Sequence, residues 1–276
     1  MTGADPIAAV FRRTPEGHLA AQVEDLAWLA VPVEGGVRIA TAWRLSMPIE
    51  TWTAADFYGD EGPVEDKAAF RAHVEAIAEH RRQLRTLART EQSIFVSTRG
   101  APQHSWVYAE GVVFHSTASH GGFHLDGERN ARVHPALRNR DGWYEEDCEC
   151  ATVAATFLDL FTDYERASAD ETLRHWRPDA WERIHGVVLR PGESRIKDER
   201  QFRRDHADDW VVIAALASRQ RPGFVECIAT LGGVRVGEER RFLVPATQFA
   251  VGRFGFVIDP TRHAAYDGPA DFGSAP

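Results

Sequence analysis

Two apolar runs, residues 27–33 and 37–43, flank Glu34-Gly35-Gly36 near the start of the chain. Strand-like runs joined through glycines that tolerate positive φ predict a β-hairpin. Residues 46–64 carry Pro48, Gly59, Gly62 and Pro63 and read as a loop. The period then changes. Phe70, Val74, Ile77, Leu84 and Leu87 recur at spacings of three, four and seven, which predicts a helix near 65–89 with one apolar face. Glu65 and Asp66 stand at its start and Arg81, Arg82, Arg85 and Arg89 at its end, the charge order a helix macrodipole favours. An anion or RNA contact is the other reading of the arginines.

Short strands are expected at Ser93–Thr98, Ser105–Tyr108 and Val112–His115, followed by a hairpin-like segment around Gly121-Gly122. If those two glycines form a two-residue turn, His120 pairs with Phe123. Alternation then puts Phe114, Ser116, Ala118, His120, Phe123 and Leu125 on one face, and His115, Thr117, Ser119, His124 and Asp126 on the other. On that register His120 points to an apolar face. Residues 145–161 read as an amphipathic helix with Val153, Ala154, Phe157, Leu158 and Phe161 on its stripe and three carboxylates at its N-terminus. Ser168 is a candidate cap for a helix over 169–185, interrupted or restarted at Pro178 and stopped at Gly186. Residues 193–209 are densely charged and suit a solvent-facing helix. Strands are expected at 210–217, 223–231, 240–244 and 254–259, then a loose tail over 267–276.

These elements alternate too irregularly for a doubly wound sheet. They predict an α+β fold: a largely antiparallel sheet with three main helices, 65–89, 145–161 and 169–185, packed on it. The expected segments are 1–103, 104–186 and 187–266 ahead of the tail, either as separate modules or as one continuous domain.

Composition narrows the function classes. The 276 residues carry a formal net charge of −9, with acids and bases interleaved as in Glu238-Glu239-Arg240-Arg241. A basic footprint is missing, which disfavours generic nucleic-acid binding without excluding a small basic patch. Three cysteines, Cys148, Cys150 and Cys227, are too few and too odd in number for a disulfide framework and suit a reducing compartment. The first residues lack the basic and apolar regions of a signal peptide, and the longest clean apolar run, 210–217, falls far short of the roughly 20 residues of a membrane helix. A cytoplasmic, non-membrane protein is expected.

Candidate chemistry is densest between residues 115 and 150, where four histidines (115, 120, 124 and 134), the acidic run and two cysteines occur. Imidazole titrates near neutrality and a carboxylate can orient it, so His120 with Glu146 and Asp147 forms a candidate catalytic set. Ser119, Gly121, Gly122, Trp143, Tyr144 and Glu145 are the candidate binding residues around it. The bland alternative is a hydrogen-bonded structural histidine and carboxylates that serve a helix dipole. Cys148-Glu149-Cys150 lacks the spacing of a zinc knuckle, and in a helix those two side chains point about 200° apart. Phosphate-loop, dinucleotide, nucleophile-elbow and His-Glu-x-x-His patterns are absent, so no metal or cofactor is expected.

The segments Ser116-Thr117-Ala118-Ser119-His120-Gly121-Gly122-Phe123, Arg129-Asn130, Leu137-Arg138, Gly142-Trp143-Tyr144-Glu145-Glu146-Asp147-Cys148-Glu149 and Trp176-x-Pro178 resemble a bacterial domain-of-unknown-function family, DUF7007. The resemblance covers about residues 104–185. Phe157-Leu158 departs from the family's Phe-Pro, at a helix end rather than in the candidate site. The resemblance implies a bacterial protein associated with plasmids, phages or integrated elements, and no established activity. Two function classes remain open. One is a binding or interaction protein, accessory to a mobile genetic element, with a protein or small-molecule partner. The other is a small hydrolase or transferase using His120 and a carboxylate from Glu145, Glu146 or Asp147.

Overall fold

A computed structural model describes residues 7–93, 102–118 and 120–270. The fold is α+β as expected, with three antiparallel sheets among the described residues in place of one. The chain divides into two compact units, Met1–Leu173 and Arg174–Pro276.

The first unit opens with a five-stranded meander: β1 (Val10–Arg13), β2 (Leu19–Val23), β3 (Leu26–Val33), β4 (Gly36–Trp43) and β5 (Gly59–Val64). The expected hairpin is β3–β4. Its turn is Glu34-Gly35, with Gly35 at φ 80° and Gly36 already paired with Val33. Residues 46–64 are not the expected loop. They form 3-10 turns at Ile49–Thr51 and Ala54–Asp56 and then β5. Pro63 fits there because among the described residues β5 pairs only with β4, and an edge strand tolerates the missing N–H donor.

Alternation along this sheet supplies two cores. Trp28, Ala30, Val37 and Ile39 pack on Phe70, Val74 and Ala78 of helix α1 (Lys67–Leu84), while Ala27, Leu29 and Ala42 pack on Ile49 and Trp52 of the opposite layer. Asp66 caps α1, accepting from the Ala68 and Ala69 amides. The arginines at its end are held in ion pairs. Glu24 reaches Arg85 at 2.6 Å and Arg81 at 3.5 Å, and Arg82 pairs with Glu79 at 2.8 Å. Glu24 occupies the β2–β3 turn with φ 51°, a left-handed conformation that non-glycine residues rarely adopt.

A second meander follows: β6 (Thr90–Gln92), β7 (His104–Ala109), β8 (Val112–Ser116), β9 (Gly122–Leu125) and β10 (Trp143–Glu145). Most of the strand expected at 93–98 lies outside the described residues. Helix α2 (Gly127–Arg132) separates β9 from β10. The helix expected over 145–161 is corrected. Glu145 ends β10, residues 146–149 turn, α3 covers Cys150–Thr156, and a 3-10 turn covers Leu158–Leu160. Strand pairing of Glu145 with Gly122 outcompetes an early helix start.

The next helix, α4 (Asp163–Trp176), begins earlier than Ser168. Thr162 and Glu165 form a capping box: the Glu165 amide donates to Thr162 Oγ1 at 3.2 Å, and the Thr162 amide donates to Glu165 Oε2 at 2.9 Å.

The second unit takes up the chain in the last turn of α4. Helix α5 (Pro178–His185) restarts at Pro178 and stops at Gly186, φ 66°. Helix α6 (Arg195–Asp205) is capped by Ser194. The third sheet runs β11 (Trp210–Ala217), β12 (Phe224–Leu231), β13 (Glu239–Pro245) and β14 (Ala264–Ala265), over a core of Cys227, Ala229, Phe242, Val244 and Ile258. The strand expected at 254–259 is reduced to isolated bridges, Val257 to Val211 and Gly255 to Gly252, and Ala264–Ala265 takes the edge instead. Among the described residues no helix is long and apolar enough to cross a membrane.

Candidate functional site

The site grows from one face of the second sheet. Trp106, Phe114 and Phe123 lie opposite one another on β7, β8 and β9, and Tyr108 is two residues along from Trp106. A bulge between Val107 and Ala109 interrupts the pairing at Tyr108, and contact with Phe123 brings its ring into the same aromatic row. Ring centroids are 6.1 Å apart for Trp106–Phe114, 5.1 Å for Phe114–Phe123 and 4.9 Å for Tyr108–Phe123, with edge-on geometry in the last two. Phe161 closes the cluster at 5.3 Å from Tyr108. Above these rings stand Cys150 and Ala154 of α3, Tyr164 and Ser168 of α4, and His80 of α1. Together they enclose a cleft of about 580 Å³ with Glu146 and Asp147 at its mouth. That size lies within the roughly 300–1,000 Å³ usual for small-molecule sites.

Most of the polar groups in the cleft wall already have partners. Arg89 grips Glu165 with two bonds of 2.8 and 2.6 Å, and its guanidinium stacks 4.3 Å from the Tyr108 ring centroid. His80 Nδ1 is 2.7 Å from Thr162 Oγ1, the hydroxyl that also caps α4. Burial drives the His80 pKa below its ordinary value, only partly offset by the nearby Glu165 carboxylate, so its neutral form is favoured. For Glu165 burial acts upward, but the bonds from Arg89 and the Thr162 amide outweigh it and hold the carboxyl below the usual range. Burial raises the Tyr108 and Tyr164 phenols. Burial also pushes the Cys150 thiol up to about 12, with Glu146, Glu149 and Asp147 adding to the effect. Its Sγ points to the Tyr144 carbonyl at 3.4 Å.

The residues singled out from sequence separate into groups. Glu146 and Asp147 line the mouth of the cleft, and both are exposed. The Glu146 amide donates to the Gly121 carbonyl at 2.9 Å, so the glycine loop and the acidic turn do meet. Gly122 pairs with Glu145, and a Cβ on Gly122 would fall 2.5 Å from the Tyr144 carbonyl oxygen, so the two strands need glycine there.

His120 is not on the apolar face. The register His115↔Gly122 leaves His120 off the strands, exposed and with its backbone tied to the Thr117 hydroxyl. It does not line the cleft, and no bond joins its ring to the acidic turn among the described residues. Ser119 lies outside the described residues. Trp143 and Tyr144 are buried. Tyr144 donates to Asn130 at 2.7 Å and accepts the Asn139 amide at 3.1 Å.

Of the four histidines between residues 115 and 150, the buried one is His115, 5% exposed, on the opposite face. Its Nδ1 meets Ser105 Oγ at 2.8 Å and its ring stacks parallel on Trp143 at 5.9 Å. Burial lowers its pKa, with His124 adding to the effect. Cys227 is also buried, its thiol pushed up to about 12. No group of three or more His, Cys, Asp or Glu side chains converges as a metal site among the described residues.

Sequence reasoning missed His80, Tyr164 and Glu165, and read Arg89 only as one of the helix-end arginines. For Glu165 a signal was available, the Thr162-x-x-Glu165 capping box ahead of an apolar stripe. His80 and Arg89 offer no local signal, because tertiary pairing alone brings them to Thr162 and Glu165.

Comparison with known proteins places the centre of this chain. Residues 92–207 match DUF7007, a domain of unknown function. The resemblance read from the Ser-His-Gly-Gly and Trp-Tyr-Glu-Glu-Asp segments is borne out. The DUF7007 match takes in the aromatic row, the acidic turn and Glu165, whereas His80 and Arg89 lie before it. No curated protein and no solved structure matches the chain.

Proposed function

We propose that the chain is a binding protein and that the aromatic cleft is its ligand site. The observation that carries this reading is the state of the groups in the cleft wall. Glu165 is locked to Arg89, His80 is bonded to Thr162, and the Cys150 thiol is far from its thiolate form. An activated nucleophile with an oriented base is therefore missing from the described wall, while an aromatic floor suited to recognition is present. We place this role in a bacterial protein accessory to a mobile genetic element, the association that the DUF7007 resemblance implies, and in the cytoplasm, which the low and odd cysteine count suits. The hydrolase or transferase reading rests on the bond between the Glu146 amide and the Gly121 carbonyl, which brings the His120 loop to the acidic turn.

Thermal-shift screening of small aromatic compounds tests the binding reading. Compounds that raise the melting temperature of the native chain should lose the effect in Ser168→Trp, which fills the cleft from an exposed helix position. A screen without binders, or binders indifferent to that change, would overturn it. Turnover of an ester or phosphoester panel that disappears in both His120→Ala and Glu146→Gln would favour the enzyme.

A further inference from the structure

The ionisable groups of the cleft set the charge it presents. Glu165 is neutralised by the bidentate Arg89 contact. His80 is held toward its neutral form by burial, and Cys150, Tyr108 and Tyr164 keep their protons because burial raises each of them. Glu146 and Asp147 remain, both exposed at the mouth and without an ion pair among the described residues. The cleft therefore presents two negative charges above an uncharged aromatic floor.

The floor has a matching preference. An aromatic face attracts a cation through its quadrupole, and the attraction grows as water is excluded. The fold uses these rings in that way already. The Arg89 guanidinium sits 4.3 Å from the Tyr108 centroid and 5.4 Å from that of Phe161. The half-buried Trp106 and Phe114 belong to the same row and border the open volume.

We propose that the cleft of the preceding section takes a small organic cation with a flat apolar body, an arylalkyl ammonium or guanidinium compound. The body lies against Trp106 and Phe114, and the cationic head stands between the rings and the Glu146 and Asp147 carboxylates. This inference rests on the cleft being a ligand site, and it adds the sign of the ligand's charge.

Three probes with one ring system separate the two claims: tryptamine, neutral indole and anionic indole-3-acetate, titrated calorimetrically against the full chain. Tryptamine should bind about tenfold tighter than indole, the order expected for a partly desolvated cation near aromatic faces, and indole-3-acetate should bind weakest. Glu146→Gln combined with Asp147→Asn should bring tryptamine down to the affinity of indole and leave indole unchanged. Glu110→Gln, an exposed carboxylate away from the cleft, should alter neither. Added salt should weaken tryptamine and spare indole. Equal affinity for tryptamine and indole, or a preference for indole-3-acetate, overturns the cation assignment while the binding cleft stands. No binding of any of the three overturns both.

Discussion

The two faces of the second sheet reverse the usual relation between polarity and burial. On one face Trp106, Tyr108 and Phe114 are half-buried and border open space. On the other, Ser105 and His115 are almost fully buried beside Trp143. The polar pair can be buried because each member satisfies the other at 2.8 Å and the imidazole stacks on an indole. The aromatic row stays accessible because α1, α3 and α4 surround it without filling the space above it. Large rings left open are the informative exception on a protein surface, whereas a buried histidine with a partner has a structural explanation.

The strongest way to break this contrast is to truncate one indole on each face. Trp143→Ala should lower unfolding free energy by ~3–5 kcal/mol, as expected for removing a large buried aromatic residue. Trp106→Ala should cost less than half as much while removing ligand binding. Equal costs in urea denaturation would mean that both faces are ordinary core.

A histidine pair sharpens the same point. His115→Ala should cost ~1–3 kcal/mol, since it leaves Ser105 buried without its partner. His120→Ala should stay within about 0.5 kcal/mol, as at other exposed positions. A larger loss for His120 would show that its loop is structural after all.

The glycines between the faces differ in the same way. Gly122→Ala should destabilise by ~1–3 kcal/mol, because the new methyl meets backbone of β10 that cannot turn aside. Gly121→Ala should cost less, since its closest neighbour at 2.4 Å is the Glu146 carboxylate, which can swing away.

The smallest expected effect is on pH dependence. Burial lowers the His115 pKa from its ordinary 6.5, so the folded state disfavours the imidazolium. Its contribution to stability is complete above 6.5 and is lost as pH falls from there through the folded value. His80 and His263 act in the same direction. Melting temperatures below pH 6.5 should therefore fall less steeply in His115→Asn than in the native chain. Parallel curves would remove His115 from this account.

How much of this could be read from sequence depended on distance along the chain. The facing of Phe114 and Phe123 against His115 and His124 was legible, because the assumed turn and the actual register have the same parity. The position of His120 was not, because it hinges on the length of a turn. Assuming a two-residue reversal at Gly121-Gly122 carries the strand through His120, while the actual pairing of His115 with Gly122 ends it sooner. The acidic run was legible as a group near the glycine loop but not as a strand end, since Glu145 joins β10 only through a partner strand. The α1 helix was clear from its period, yet nothing near His80 or Arg89 announces Thr162 or Glu165 across more than 70 residues.

Glu24 carries a consequence for how freely this sequence can vary. A left-handed non-glycine residue in a tight turn is an obvious candidate for relaxation to glycine, which would relieve ~1–2 kcal/mol of backbone conflict. The same residue supplies the carboxylate that holds Arg85 and reaches Arg81 at the end of α1. The turn and the helix thus make opposing demands on one position, a point of local frustration in an otherwise consistent landscape. Adjustment for the strand turn alone would loosen the helix end, and Arg89 follows only a few residues later on the way to the cleft wall. Glu24→Gly should therefore ease the turn and release the end of α1 at the same time.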